Sequence, residues 1–218
     1  MGRAFNLLLS TRDPFADDPA GESAGRFGMW LFLASLAMLF GATVVGYVVL
    51  KVQLHLRGTW PSDLPSLPWP LVLSTGLLAV SSWTFERARI AARRPDARPG
   101  DADTRGSALR TWLGRTTGLG LAFLVLQAWC WWVWLTGVSD RWADSLDHRW
   151  ALAGFYVLTG IHALHVIGGI VPLVIIHLLC RGGHFDHGRT DAVHLTGLYW
   201  HFLGAVWVIL YGLLLVTI

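Results

Sequence analysis

Two histidines, His162 and His165, stand three residues apart inside the uncharged run FYVLTGIHALHVIGGIVPLVII (155–176). That spacing puts both rings on one side of a helix. Rings so placed can ligate a haem iron or a metal, or they can pack and bond between helices. A shared metal would need further ligands from other helices. A haem held within a bundle would need a histidine from a facing helix, and His177 and His201 are the available partners. His177 lies about three turns beyond His165. His201 falls near one membrane face and His162 toward the other. This depth mismatch favours packing over axial ligation. Gly160, Gly168 and Gly169 lie close to the same side, where small residues let another helix approach.

Other polar groups are few. Gln127 reads as a buried amide that bonds a neighbouring helix. Spans one, three, four and five contain no carboxylate, and Glu86 can reach the interface beside Arg87 and Arg89. A pump or transporter acting alone would carry intramembrane acids. His184 and His187, in RGGHFDHGR (181–189), read as part of a solvated loop. Arg181 and Arg189, with Arg87 and Arg89, are candidate contacts for anionic lipid head groups, and Trp30 joins them as a candidate lipid contact. No phosphate-binding loop, dinucleotide glycine pattern or serine-nucleophile motif occurs.

The elements that must position these groups are membrane helices. Of the 218 residues, 54% are hydrophobic and only 14% charged, against about 25% charged in soluble domains. The 13 Trp gather near the ends of apolar runs, as in an interfacial belt. The net charge of +3 reads as loop arginine that sets topology. Basic residues are not interleaved with stacking aromatics in a soluble module, so nucleic acid is excluded as a partner. The N-terminus carries no signal-peptide pattern.

Five spans are expected, at about 27–50, 70–85, 116–138, 155–179 and 195–218, in one all-helical bundle. Residues 1–26 read as a polar cytoplasmic arm and 27–218 as the membrane domain. Ala34, Ser35, Gly41 and Gly46 predict a packed face on the first span. The second span is partly polar and continues as helix to about Ala92. Counting Lys and Arg sets the orientation. With the Arg-rich segment 86–115 inside, 13 of the 17 cations are inside, and only Lys51, Arg57, Arg141 and Arg149 are outside. The N-terminus is then inside and the C-terminus outside. Cys130 and Cys180 fall toward opposite faces, too far apart for a disulfide.

Five segments, in order, resemble haem-copper oxidase subunit III, the cytochrome c oxidase subunit 3 family. They are GMWLFLAS (28–35), WPSDLPSLPWPLVLSTGLLAVSSWTFERA (60–88), LGRTTGLGLAFLVLQ (113–127), FYVLTGIHALHVIGGIV (155–171) and LYWHFLGAVWVILY (198–211). The resemblance covers most of residues 27–218 and fits the short five-helix bacterial form. It implies a multi-pass subunit of the bacterial inner membrane with no redox cofactor of its own. Such a subunit packs beside subunit I, in a complex with subunits I and II that hold haem and copper. It binds phospholipid and supports proton uptake while the complex reduces O2 to water, with cytochrome c or quinol as donor. His162, His165, Gly168, Gln127, Trp200 and His201 are then helix-packing residues, with no catalytic or metal site in the chain.

Four positions depart from the family pattern. Leu36 and Cys130 stand where the family usually has Glu, His194 where it often has Glu, and Gly204 where it usually has Asp. The membrane carboxylates on which a proton-antenna role would rest are therefore largely gone. An accessory subunit of a nitric-oxide reductase and a stand-alone b-type haem protein are the alternatives.

Overall fold

A computed structural model describes residues 19–60, 67, 69–93, 101–138, 146–181 and 190–217. These form five helices: α1 (Pro19–Leu56), α2 (Pro70–Arg93), α3 (Asp101–Val138), α4 (Leu146–Arg181) and α5 (Thr190–Thr217). All but α2 are long and apolar enough to cross a membrane, which is the build of a multi-pass membrane protein. Arg189, His184 and His187 lie outside the described residues.

Local chemistry sets several boundaries. Pro70 opens α2, where its missing N–H would lack a helical partner in any case. α1 ends in a left-handed turn at Gly58 (φ 68°). There Thr59 N donates to Leu54 O at 3.0 Å and Gly58 N to His55 O at 3.0 Å. This pair of bonds is the Schellman motif, and glycine reaches its φ without strain. At its other end, α1 begins at Pro19, inside the segment expected to be an arm.

Helices α2, α3, α4 and α5 form a ring in which each packs on the next and α5 closes back on α2. α1 lies outside that ring and touches only α4 and α5 among the described residues. Two contacts tie it to α5 along its length. Arg26 pairs with Asp191 at one end, and Lys51 Nζ donates to Thr217 O at 2.9 Å at the other.

The packed face of α1 is not the one that its small residues suggest. Leu33, Leu36, Phe40, Tyr47 and Leu54 are buried, while Ala34, Ser35, Gly41 and Gly46 are exposed. A Cβ added at Gly41 or Gly46 would meet nothing within 4 Å. The buried set repeats at helical spacing and fills the α4/α5 seam with bulk, which the small residues cannot do.

α2 is turned polar side inward. Ser74, Ser81 and Thr84 are buried, whereas Val72, Leu73, Val80, Trp83 and Ile90 are exposed. The hydroxyls are satisfied locally: Ser74 donates to Leu71 O at 2.8 Å and Ser81 to Leu78 O at 3.0 Å. Thr84 and Thr116 bond each other across the α2/α3 contact at 2.9 Å. Inward polarity lowers the helix's hydropathy while its outer surface stays apolar.

Candidate functional site

α5 carries the side chains around which the ring closes. Trp200 is buried, and its indole N–H donates to Ser81 Oγ at 3.1 Å. Trp207, two turns on, donates to Thr75 Oγ1 at 3.0 Å. Both indoles therefore reach α2, whose inward hydroxyls accept them. The Trp200 ring needs close backbone approach from two other helices. A Cβ at Gly120 of α3 would stand 2.8 Å from its Cη2, and one at Gly169 of α4 would stand 3.2 Å from its Cε3.

His162 sits one layer along. It is fully buried, stacked on Trp207 at 5.1 Å, with Phe123 edge-on and Phe40 tilted, each at 6.1 Å. Among the described residues, neither ring nitrogen has a hydrogen-bond partner. His165 points to the same Phe40 ring, at 5.2 Å, but is half-buried. Its Nδ1 lies 2.7 Å from Ile161 O, on its own helix. The i,i+3 pair does share one side, as the spacing predicts, and Phe40 of α1 covers it.

The surroundings of these histidines do not fit a haem. Aromatic rings close on His162 from α1, α3 and α5, leaving no slot for a porphyrin plane. His201 lies elsewhere, at the end of the bundle where α5 begins. There its Nε2 is 3.9 Å from Glu86 Oε2, and its ring is edge-on to Phe85. Among the described residues, no group of three or more His, Cys, Asp or Glu side chains is placed to hold a metal ion. Cys130 and Cys180 are both free and buried.

Gln127 is buried on α3, and among the described residues neither amide atom has a hydrogen-bond partner. A buried amide left unbonded costs on the order of 1–3 kcal/mol. Gly168 is exposed, and a Cβ added there would meet only the Tyr199 hydroxyl, at 3.6 Å. The tighter glycine is Gly169, between Tyr199, Trp200 and Leu203. Tyr199 also donates to His165 O at 2.9 Å.

The candidate lipid contacts separate into several kinds. Arg87 lies over the rings of Trp83 and Trp112, 5.6 Å from each. Arg89 holds Glu86, with its Nη2 at 2.7 Å from Oε1. Arg181 lines a groove between α3 and α4. Trp30 is exposed on α1.

Comparison with known proteins assigns the lineage. The chain is 31% identical over 198 residues to the cytochrome bo(3) ubiquinol oxidase subunit 3 of Pseudomonas aeruginosa, covering 88% of this chain and 85% of that protein. The chain belongs to the haem-copper oxidase subunit III family. It is also 26% identical over 189 residues to cytochrome c oxidase subunit 3 of Thermostichus vulcanus, covering 86% and 84% of the two chains. To the Synechocystis cytochrome c oxidase subunit 3 it is 28% identical over 190 residues, covering 85% and 72%. No family model matches the chain.

In this subunit III the positions where the resemblance implies a carboxylate lie among neighbouring side chains. Leu36 and Cys130 are buried, and His194 is half-buried with its Nδ1 enclosed. A Cβ at Gly204 would come within 3.5 Å of Ser82 Oγ. Nothing in the sequence marks Gly120 and Gly197 as contact points, because the rings that press on them belong to other helices. Trp207 does carry a signal, its seven-residue spacing from Trp200, which puts two indoles on one face of α5.

If His162 acts through shape, a branched apolar side chain should replace it. His162→Leu is expected to keep the melting temperature in detergent within a few degrees, corresponding to under about 1.5 kcal/mol. His162→Ala should lose more, about 2 kcal/mol or above, through the cavity it leaves. Equal, large losses in both variants would show that the ring nitrogens matter.

Proposed function

We propose that this chain is the non-catalytic subunit III of a bacterial haem-copper terminal oxidase. It is held in the inner membrane beside subunits I and II, stabilises subunit I and binds phospholipid. The haems and copper lie in the partners, which reduce O2 to water with coupled proton translocation. The observation that carries this reading is the aromatic closure around His162, in a chain of this family: the most ligand-like residue of the molecule is committed to packing.

The topology proposed is five spans, with the N-terminus inside and the C-terminus outside. α2 supports the fifth span because its polar residues face inward and its outer face is apolar. Sidedness is supported by charge. The helices alternate in direction, so Arg26, Arg87, Arg89, Arg93, Arg110, Arg115 and Arg181 share one end, while Lys51, Arg57 and Arg149 share the other. The open small-residue face of α1, with Gly41 and Gly46, suits close approach by a helix of subunit I. With Leu36 and Cys130 buried and Gly204 half-buried, no proton path through membrane carboxylates of this chain is proposed.

The test is a mild-detergent pull-down of the chain, with mass spectrometry of its companions and an optical spectrum of the eluate. The expected result is a large many-helix haem-copper subunit, with the haem signal leaving when that subunit is stripped away. Haem retained by the isolated chain would overturn the proposal.

A further inference from the structure

Unpaired polar atoms gather on the seam between α3 and α4. Among the described residues, eight buried side-chain nitrogen and oxygen atoms have no hydrogen-bond partner. Six of them belong to four side chains here: both amide atoms of Gln127, both ring nitrogens of His162, and the indole nitrogens of Trp131 and Trp134. Gln127, Trp131 and Trp134 are spaced i, i+4, i+7 on α3, so they share one face. Phe155, Thr159 and His162 repeat that spacing on α4. The two faces meet antiparallel. Trp134 lies 4.1 Å from Phe155, Trp131 6.2 Å from Tyr156, and Phe123 6.1 Å from His162, ring centre to ring centre. Gln127 is one turn beyond Phe123, so it falls opposite the stretch of α4 between Tyr156 and His162, where Thr159 stands.

The unpaired atoms are of mixed kind. The two indoles only donate, the amide donates and accepts, and a neutral imidazole donates from one nitrogen and accepts at the other. Two hydroxyls beside them have acceptor capacity left. Thr159 Oγ1 donates to Phe155 O at 2.8 Å and Tyr156 Oη to Trp131 O at 3.3 Å, which leaves the lone pairs of both oxygens open. Enclosing polar groups in apolar surroundings without partners is costly, and a bilayer core supplies no bulk solvent to repair it. The ligand that suits such a row is small and uncharged, and donates and accepts at once. An ion does not suit it, because residues 116–138 and 150–180 contain no Asp, Glu, Lys or Arg to balance a charge. Water does, and a buried water typically bonds about three otherwise unsatisfied groups. The row also reaches the edge of the apolar region. Trp134 is two residues from the end of the span Gly106–Thr136, and Gln127 is nine residues from it.

We propose that the α3/α4 seam is a binding site for internal water, a short chain of molecules running from Trp134 past Trp131 and Gln127 to His162. The waters supply the link between helices that the Gln127 amide does not make directly. His162→Leu removes one anchor while the chain keeps the others, in agreement with the small loss expected for that variant. The site rests on the packing of α3 against α4 and is independent of which companion subunits the chain has.

The test is water-edited solid-state NMR of the isotope-labelled full chain in lipid bilayers, with any subunits that accompany it. Magnetisation starts on water protons, and its arrival at side-chain nitrogens is timed. Trp200 and Trp207 are the dry reference, because their indole N–H groups are taken by the Ser81 and Thr75 hydroxyls. Gln127, Trp134 and His162 are expected to receive magnetisation several times faster than these two indoles. Arrival as slow as at Trp200 and Trp207 would overturn the site. Gln127→Leu removes the middle anchor at similar volume, and it is expected to slow arrival at His162 to the reference rate. Unchanged arrival at His162 in a folded Gln127→Leu protein would overturn the chain of waters. Thr159→Val, which removes the acceptor at the same level, makes the same comparison should Gln127→Leu not fold.

Discussion

Trp200→Ala is expected to lower the melting temperature of the detergent-solubilised protein by on the order of 10 °C. The change removes a large buried ring that fills space left by Gly120 and Gly169. Deleting such a ring costs about 3–5 kcal/mol, and each kcal/mol shifts the melting point of a chain this long by about 2–4 °C. Neither glycine has a side chain with which to refill the gap. Trp200→Phe separates the two contributions. It keeps part of the ring and loses the bond to Ser81 Oγ, a bond worth about 0.6–1 kcal/mol in a membrane interior. Phe should therefore be clearly milder than Ala. A Trp200→Ala protein that melts within about 2 °C of its parent, on the same slope, would show that the indole does not hold the ring of helices closed.

Adding one methyl group at Gly197 should be nearly as harmful. A Cβ there would stand 2.5 Å from Phe85 Cε1, 3.2 Å from Cδ1 and 3.3 Å from Cζ. Phe85 is fully buried, so its ring has nowhere to retreat. Overpacking of this kind costs about 1–3 kcal/mol, and this contact is close enough to sit at or above the upper end. The cost arises from one pair of residues, so shrinking the partner should restore part of it. Gly197→Ala combined with Phe85→Leu is expected to be more stable than the sum of the single changes predicts, with a coupling of roughly 1–3 kcal/mol. Strict additivity in that cycle would mean that the glycine serves some purpose other than clearance for Phe85.

These two positions mark where the sequence stops being informative. The long apolar runs of α4 and α5 are legible from hydropathy alone, and the shared side of His162 and His165 follows from their spacing. What a helix faces is harder to read. Ala34, Ser35, Gly41 and Gly46 look like a packing surface because small residues allow close approach, yet the α4/α5 seam is wide enough to need Phe40 and Tyr47. The low hydropathy of α2 reflects a sum taken without regard to direction, since its polar Ser74, Ser81 and Thr84 are buried inward. Gln127 is expected to bond a neighbouring helix, and among the described residues its amide has no partner. Gly120 and Gly197 can be found only through the rings opposite them, a pairing that lies between helices far apart in sequence.

The position of α1 also bears on how the chain is made. α1 is the first of the five helices to leave the ribosome, yet its packing partners are the last two. Roughly 90 residues separate Leu56 from Leu146, where α4 starts. At about 5–20 residues per second, α1 waits on the order of 5–20 s before either partner exists. During that interval Leu33, Leu36 and Phe40, later enclosed, face the bilayer. They tolerate it because they are apolar; the Tyr47 hydroxyl, which later lies 3.2 Å from Thr217 Oγ1, is the polar atom that must wait for its partner. The contacts that close the ring of α2 to α5 do not involve α1, so α1, translated first, can dock only once the last two helices are made.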